Sequence, residues 1–280
     1  MTIKESPASA EKDKDRQPAV SSEVKRDVLF VASVGKCFEV LECLNNARKP
    51  LTLTQLTEMS GMDKSTVQRF TYTLKTLGYI AQHPLSKAYV LSSRMLEFGQ
   101  TVLTTDPVRE IAQPHLDRLN QKCNETTNLM KLEGHEIIYV SRFPGRHPVS
   151  VNLHTGSRLP AFCTAAGRAI LAFLPPEEAL RILNDYPRKA MTATTVTEIP
   201  TLLGILEQVR SAGYAMNNQE AFIGDISISA PILKNDRTPI AAVNIAVTYP
   251  RWQAQEVRQQ LAPMVMACAK RISDDIAEFS

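Results

Sequence analysis

Apolar side chains recur at three- and four-residue spacing through the first third of the chain, and at alternating or continuous positions in several later stretches. The most informative run extends from Leu53 to Gly78, LTQLTEMSGMDKSTVQRFTYTLKTLG. Thr52 followed by Gln55 has the spacing of a capping box, which predicts a short helix with Leu53, Leu56 and Met59 as its apolar stripe and Gly61 as its stop. Asp63 can cap a second helix, in which Val67, Phe70, Leu74 and Leu77 recur on one side until Gly78 ends it. Two short helices joined by a glycine turn make a helix-turn-helix. Upstream, VGKCFEVLECL from Val34 to Leu44 predicts a third amphipathic helix with Val34, Phe38, Leu41 and Leu44 inward. Downstream, Tyr79 to Gln82 and Lys87 to Leu91 read as strands around the turn His83-Pro84-Leu85-Ser86, the position of a wing. Residues 24–92 therefore read as a winged helix-turn-helix.

A second periodic segment, SRMLEFGQTVL from Ser93 to Leu103, predicts a linker helix across 93–106. Asp106-Pro107 restarts the pattern, an N-cap acceptor before a proline at the first helical position, and opens a helix to about Lys122 with Val108, Ile111, His115 and Leu119 along one stripe. The rest of 107–280 mixes strands and helices. Strands are expected at Thr126 to Leu132, Glu136 to Phe143, Val149 to Leu153, Ile226 to Leu233 and Ile240 to Thr248. Helices are expected at Ala165 to Leu174, Pro176 to Leu183 and Leu202 to Ala212, with a long closing helix from Trp252 to Phe279 that Pro263 should kink. An antiparallel sheet flanked by helices makes this an α+β domain. Residues 1–23 are polar, alternate in charge and hold almost no large apolar side chains, so disorder is expected there.

Charge sharpens this division. The 280 residues carry a formal net charge of +3, but residues 24–98 hold ten Lys and Arg against six Asp and Glu, whereas 99–280 balance at eighteen each. The excess sits with the helix-turn-helix, as expected if only that part meets nucleic acid. The outer face of its second helix carries Lys64, Ser65, Gln68, Arg69, Tyr72 and Lys75, with Thr66 beside them and His83 and Lys87 on the wing. These donor-rich side chains suit phosphates and base edges. A solvated αα-hairpin would also show a polar face, so the wing and the charge asymmetry are what favour double-stranded DNA.

Five cysteines, Cys37, Cys43, Cys123, Cys163 and Cys268, are scattered without a Cys-x-x-Cys or a His pair at ligand spacing, so neither a metal site nor a disulfide framework is expected. The odd count and a first segment without an apolar core suggest the cytosol, and the absence of a long apolar run argues against a membrane span. One enzymatic alternative remains, a Cys163 nucleophile with His154 or His147 as base. Its apolar surroundings and the lack of an orienting acid speak against it.

SVGKCFEVLECL, MDKSTVQRFTYTLKTLGYI, GSRLPAFCTAAGRAILAFLPPEE, RSAGYAMNNQEAFIGDISISAP and PIAAVNIAVTYP occur in the order and spacing of the IclR family of bacterial transcriptional regulators, which the chain from about Ser33 to Ala277 resembles. The resemblance implies a winged helix-turn-helix, a linker helix and a GAF-like effector-binding domain that takes a small organic acid, in a homodimer or homotetramer on operator DNA, with no cofactor. It places ligand-contact positions on Ala165 and Ala166, on Asn217, on Ser227, and on Asn244 and Ala246. Backbone N–H groups at the helix start near Ala165 are an independent reason to expect an anion there, although small residues also serve close helix packing. Strand alternation adds Asp225: if Ser227 faces the pocket, so do Asp225 and Ser229, with Ile226 and Ile228 on the other side. Many members carry an acidic residue where this chain has Asn217, cysteine at Ser227, and serines at Asn244 and Ala246.

Overall fold

A computed structural model describes residues 28–147 and 151–279, so the expected disorder of residues 1–23 lies outside the described residues. The chain divides into two compact units between Val102 and Leu103.

In the first unit, α1 (Ala32–Ala47), α2 (Leu53–Ser60) and α3 (Lys64–Thr76) are followed by β1 (Ile80–Gln82) and β2 (Tyr89–Leu91). The capping box forms as expected: Thr52 Oγ1 accepts from the Gln55 N–H while Gln55 Oε1 accepts from the Thr52 N–H at 2.9 Å. Gly61 caps α2 at φ 66°, a left-handed conformation that glycine adopts without a Cβ penalty. Asp63 caps α3, with Oδ1 accepting from the Thr66 N–H at 2.9 Å and from Ser65 Oγ at 2.7 Å. The wing strands pair antiparallel, Ile80 opposite Leu91 and Gln82 opposite Tyr89, and Leu51 adds a bridge to Tyr89. The core joins Val40, Leu41 and Leu44 of α1 to Leu56, Val67, Leu74 and Ile80. Four residues of the expected apolar stripes differ: Val34 and Phe38 are 52% and 59% exposed, Met59 43% and Leu77 51%. The buried stripe of α1 is rotated onto Val40 and Cys43, and Leu77 lies just beyond the end of α3, where the chain leaves the helical phase.

α4 (Met95–Thr104) follows the wing. The second unit opens with α5 (Pro107–Cys123), where Asp106 Oδ1 accepts from the Val108 and Arg109 N–H groups. Its sheet comprises β3 (Thr126–Glu133), β4 (Glu136–Phe143), β5 (Arg158–Pro160), β6 (Ala215–Asn218), β7 (Asp225–Leu233) and β8 (Pro239–Thr248) in the order β5-β4-β3-β8-β7-β6, with every pairing antiparallel. The helices α6 (Ala165–Leu171), α7 (Pro176–Asn184), α8 (Ile199–Ala212), α9 (Ala254–Glu256) and α10 (Ala262–Phe279) complete it.

Strand alternation sends side chains to two cores. Ile226, Ile228, Val243 and Ile245 pack with α5 and α10 on one face, while Met130, Ile137 and Ala242 pack with α6, α7 and α8 on the other. The closing helix is interrupted as Pro263 requires: a π-helical turn, Val257–Leu261, precedes α10, in which Pro263 is the second residue. Of the strand expected at 149–153, residues 149 and 150 lie outside the described residues and 151–153 are irregular. The edge position goes instead to β5, which the alternation had not marked.

Candidate effector cavity and DNA-facing surface

α3 presents Lys64, Ser65, Gln68, Arg69, Tyr72 and Lys75 to solvent, with Thr66 half-buried, because Val67, Thr71 and Leu74 occupy its inward side. Tyr72 is 72% exposed, with its ring on the same outer face as Gln68 and Arg69. Two of these groups have structural tasks. Ser65 Oγ donates to the cap at Asp63, and this bond together with those from Thr66 holds the Asp63 carboxyl well below the usual range. Lys75 Nζ donates to Gln82 Oε1 at 3.0 Å, and Gln82 Nε2 donates to the Lys87 carbonyl at 3.0 Å, so the end of α3 is tied to the wing. At the wing turn, His83 Nδ1 accepts from the Ser86 N–H at 3.2 Å and Lys87 takes a positive φ of 56°. Gln68, Arg69, Lys64, His83 and Lys87 all project outward on this surface.

The second unit contains a cleft of about 680 Å³, open solvent at its mouth included, and the structure brings all seven sequence-derived positions to its lining. Its floor is made by cross-strand rows of the sheet. Arg142, Asn128, Asn244 and Ser229 follow one another across β4, β3, β8 and β7, and Thr126, Ala246, Ser227 and Asn217 form the next row across β3, β8, β7 and β6. Asp225 sits opposite Thr248 one pleat further on. Of the alternating set, Asp225 and Ser227 reach the cleft, while Ser229 is fully buried and donates to the Val243 carbonyl at 2.6 Å.

Thr164, Ala165 and Ala166 form a wall at the start of α6. Thr164 caps that helix, accepting from the Gly167 N–H at 3.2 Å. Gly167 answers to packing: a Cβ there would lie 2.1 Å from the Ala161 carbonyl oxygen, so this position demands glycine. The small-residue run thus serves both purposes, with Gly167 for close approach and the alanines for the wall.

Asn217 also lines the cleft, but its amide is committed to the scaffold. Its Nδ2 donates to the Cys163 carbonyl, and its Oδ1 accepts from the Glu220 N–H at 3.1 Å. Glu220 in turn meets Arg168 through two bonds of 2.5 and 2.6 Å, and Arg168 Nε donates to the Phe162 carbonyl at 2.8 Å. Asn217 thus stands where a ligand contact was expected, with one Nδ2 hydrogen and its Oδ1 already engaged by the scaffold.

The chemistry of the cleft is dominated by a residue that alternation alone does not point to. Arg142 donates to Asn128 Oδ1 at 3.1 Å and to the Val151 carbonyl at 3.2 Å, both neutral acceptors, and Asn128 Nδ2 donates on to Asn244 Oδ1 at 2.9 Å. Burial pulls the Arg142 pKa down, opposed by Tyr139 and Asp225. Burial likewise raises Asp225 to about 7, with Arg142 opposing. Toward the mouth, Glu125 is held by Arg251 and by Trp252 Nε1 at 2.9 Å. Cys163 is fully buried and its thiol is pushed up to about 12 by burial, the reverse of an activated nucleophile.

Residues 100–274 match the family described as bacterial transcriptional regulator IclR, C-terminal, and residues 33–84 match the IclR helix-turn-helix domain. The chain belongs to the IclR family. Its members are transcriptional regulators rather than enzymes, which sets the Cys163 alternative aside. The HTH-type transcriptional regulator KdgR of Escherichia coli (strain K12) is 32% identical over 244 residues, covering 87% of this chain and 92% of that protein. Among solved structures, a transcriptional regulator from Rhodococcus sp. RHA1 is 31% identical with a TM-score of 0.78, covering 90% of this chain and 100% of that one. The inducer-binding domain of the PobR transcription factor from Acinetobacter, a double mutant in complex with 3-hydroxybenzoic acid, is 30% identical with a TM-score of 0.55, covering 59% of this chain and 96% of that one. This IclR-family chain thus pairs a helix-turn-helix with the C-terminal domain of that family. Arg142 was missed because a bulge in β4 resets the strand phase. Tyr139 pairs with Met130 and Ser141 with Leu129, leaving Val140 without a partner, so Tyr139 and Arg142 both reach the cleft three positions apart.

Proposed function

We propose that this IclR-family regulator binds operator DNA as a homodimer or homotetramer through α3 and the wing, and that a small organic acid in the cleft of the second unit controls that binding. The observation that carries the effector reading is the Arg142 guanidinium, which projects into the cleft with only neutral acceptors on it. A desolvated guanidinium in that state gains most from a carboxylate, which can accept two parallel N–H bonds. Ala165, Ala166, Ser227, Asn244 and Ala246 shape the remainder of the lining. The PobR domain, with its hydroxylated aromatic acid, is consistent with an effector of that general kind. For DNA, the support is the exposed donor set on α3 and the excess of basic residues in that part of the chain.

Thermal melts with a panel of carboxylic acids and their amides test the effector reading. Acids should raise the midpoint and amides should not, since a ligand that binds only the folded state stabilises it. Equal shifts from acids and amides would remove the carboxylate from the proposal. The logarithm of the operator-binding constant should fall linearly with the logarithm of salt concentration. A salt-independent affinity would count against phosphate contacts by α3 and the wing.

A further inference from the structure

The cleft holds two ionisable side chains that approach it from separate strands. Arg142 belongs to β4 and Asp225 to β7, with β3 and β8 between them. At about 4.8 Å per strand and about 3.3 Å per residue, Asp225 lies on the order of 14 Å across the sheet from Arg142 and, four residues along β7 from the level position of Ser229, on the order of 13 Å along it; no ion pair joins the two among the described residues. Both side chains nevertheless line the same cavity. The other charged and titratable groups on that lining are Tyr139 of β4, Glu125 before β3, Arg251 after β8, and His147. Glu125 is paired with Arg251 and has His147 Nε2 at 3.9 Å, and the buried Tyr139 phenol is kept neutral. This leaves one cation without an ionic partner and one acid without a cation in contact.

Resting on the effector reading above, we propose that Arg142 and Asp225 read two ends of a single effector. Arg142 holds its carboxylate, while Asp225, as the neutral acid, donates a hydrogen bond to a second oxygen, so entry of the anion is accompanied by proton uptake in the fraction of molecules whose Asp225 is ionised. Ionised Asp225 would face the incoming anion across a poorly solvated space, and an acceptor-only carboxylate cannot bond an ether, carbonyl or phenolate-like oxygen. The neutral form removes the repulsion and supplies the donor. Desolvation at this position already favours that form, bringing the group to half-protonation at about pH 7 before any ligand enters. The ligand class that follows is a small acid with a second oxygen at the far end from its carboxylate.

Calorimetry on the full chain with 3-methoxybenzoate, whose second oxygen can only accept, and with benzoate and the neutral 3-methoxybenzamide tests this at pH 6 and pH 8. Wild type should bind 3-methoxybenzoate about tenfold more weakly at pH 8, since each pH unit above the titration midpoint costs a factor of about ten. At pH 7 its binding heat should change with the ionisation enthalpy of the buffer, in the sense of proton uptake. Asp225→Asn should lose both dependences while keeping the affinity seen at pH 6, and Asp225→Ala should lose the preference for 3-methoxybenzoate over benzoate. Arg142→Gln should weaken both aromatic acids at least tenfold and leave 3-methoxybenzamide unchanged; melts without ligand confirm that each variant is folded. Binding that is independent of pH in wild type, or a pH dependence that survives in Asp225→Asn, overturns the two-ended reading and leaves the cleft as an effector site. Failure of every acid to bind at pH 6 overturns both.

Discussion

Asp225 shows how much one position can reveal about the cleft before any ligand is known. Its carboxyl is raised from the ordinary range to about 7, so the folded chain holds that proton more tightly than the unfolded one. Stability from this source is therefore full below about pH 4, the unfolded value, and declines as pH rises through 7. Asp225→Asn should be more stable than wild type at pH 8, by on the order of 1–3 kcal/mol because the half-buried carboxyl keeps some solvent, and the gap should close toward pH 4. Urea unfolding at several pH values measures it, and an equal gap at all of them would show that Asp225 is not desolvated. The Arg168–Glu220 pair makes the opposite case. Arg168 is 2% exposed, so Glu220→Ala would leave a buried cation unpaired and should cost about 3–5 kcal/mol, seen as a lower urea midpoint. Residue identities in the cleft were legible where period-two alternation held, as for Asp225 and Ser227 against the buried Ile226 and Ile228. Arg142 was not, because an unpaired Val140 shifts its side, and sequence contains no local mark of that bulge.

Elements were readable in proportion to their length and their punctuation. Thr52, Gly61, Asp63 and Asp106 each act at the helix end that their chemistry suggested, and the hairpin of β3 and β4 turns at Gly134 with φ 62°. β5 and β6 have three and four residues, too few for alternation to show. α1 misled for another reason: Val34 and Phe38 keep helical spacing with Leu41 yet face solvent, so periodicity identified the helix but not which of two apolar stripes is buried. α3 carries a prediction of its own. Arg69 is exposed and has the bidentate donors that match a guanine edge, so Arg69→Ala should cost about 1–3 kcal/mol on the cognate operator and little on random DNA. Lys64→Ala should weaken all sequences alike and lower the salt slope by about one. Lys75 differs from Lys64 because it braces Gln82, so its replacement should also loosen the wing. Anisotropy titrations on both DNAs separate these cases, and equal losses on both for Arg69→Ala would take it out of base reading.

At the scale of the whole molecule, the proposed effector control requires that occupancy of a cleft in one unit alter a surface in the other. A ligand can shift such an equilibrium only through its differential affinity for two arrangements, so the chain between the units must differ between those arrangements. α4 is that chain, running across the boundary at Val102 and Leu103. It buries none of its own residues, and Leu96, Phe98 and Val102 are all exposed, as are Val34 and Phe38 of α1. Apolar surface of that extent on a small helical unit calls for a cover; in the operator-bound assembly proposed above, where one recognition helix reads only a half-site, a second copy of the chain would supply it. Leu96→Lys or Val102→Glu should therefore abolish cooperative operator binding while leaving the thermal shift produced by an acid in the cleft unchanged. Sedimentation of each variant should show a smaller assembly than wild type under the same conditions. Operator binding with unaltered cooperativity, in a variant whose mass had not fallen, would place the contact between copies somewhere other than α4.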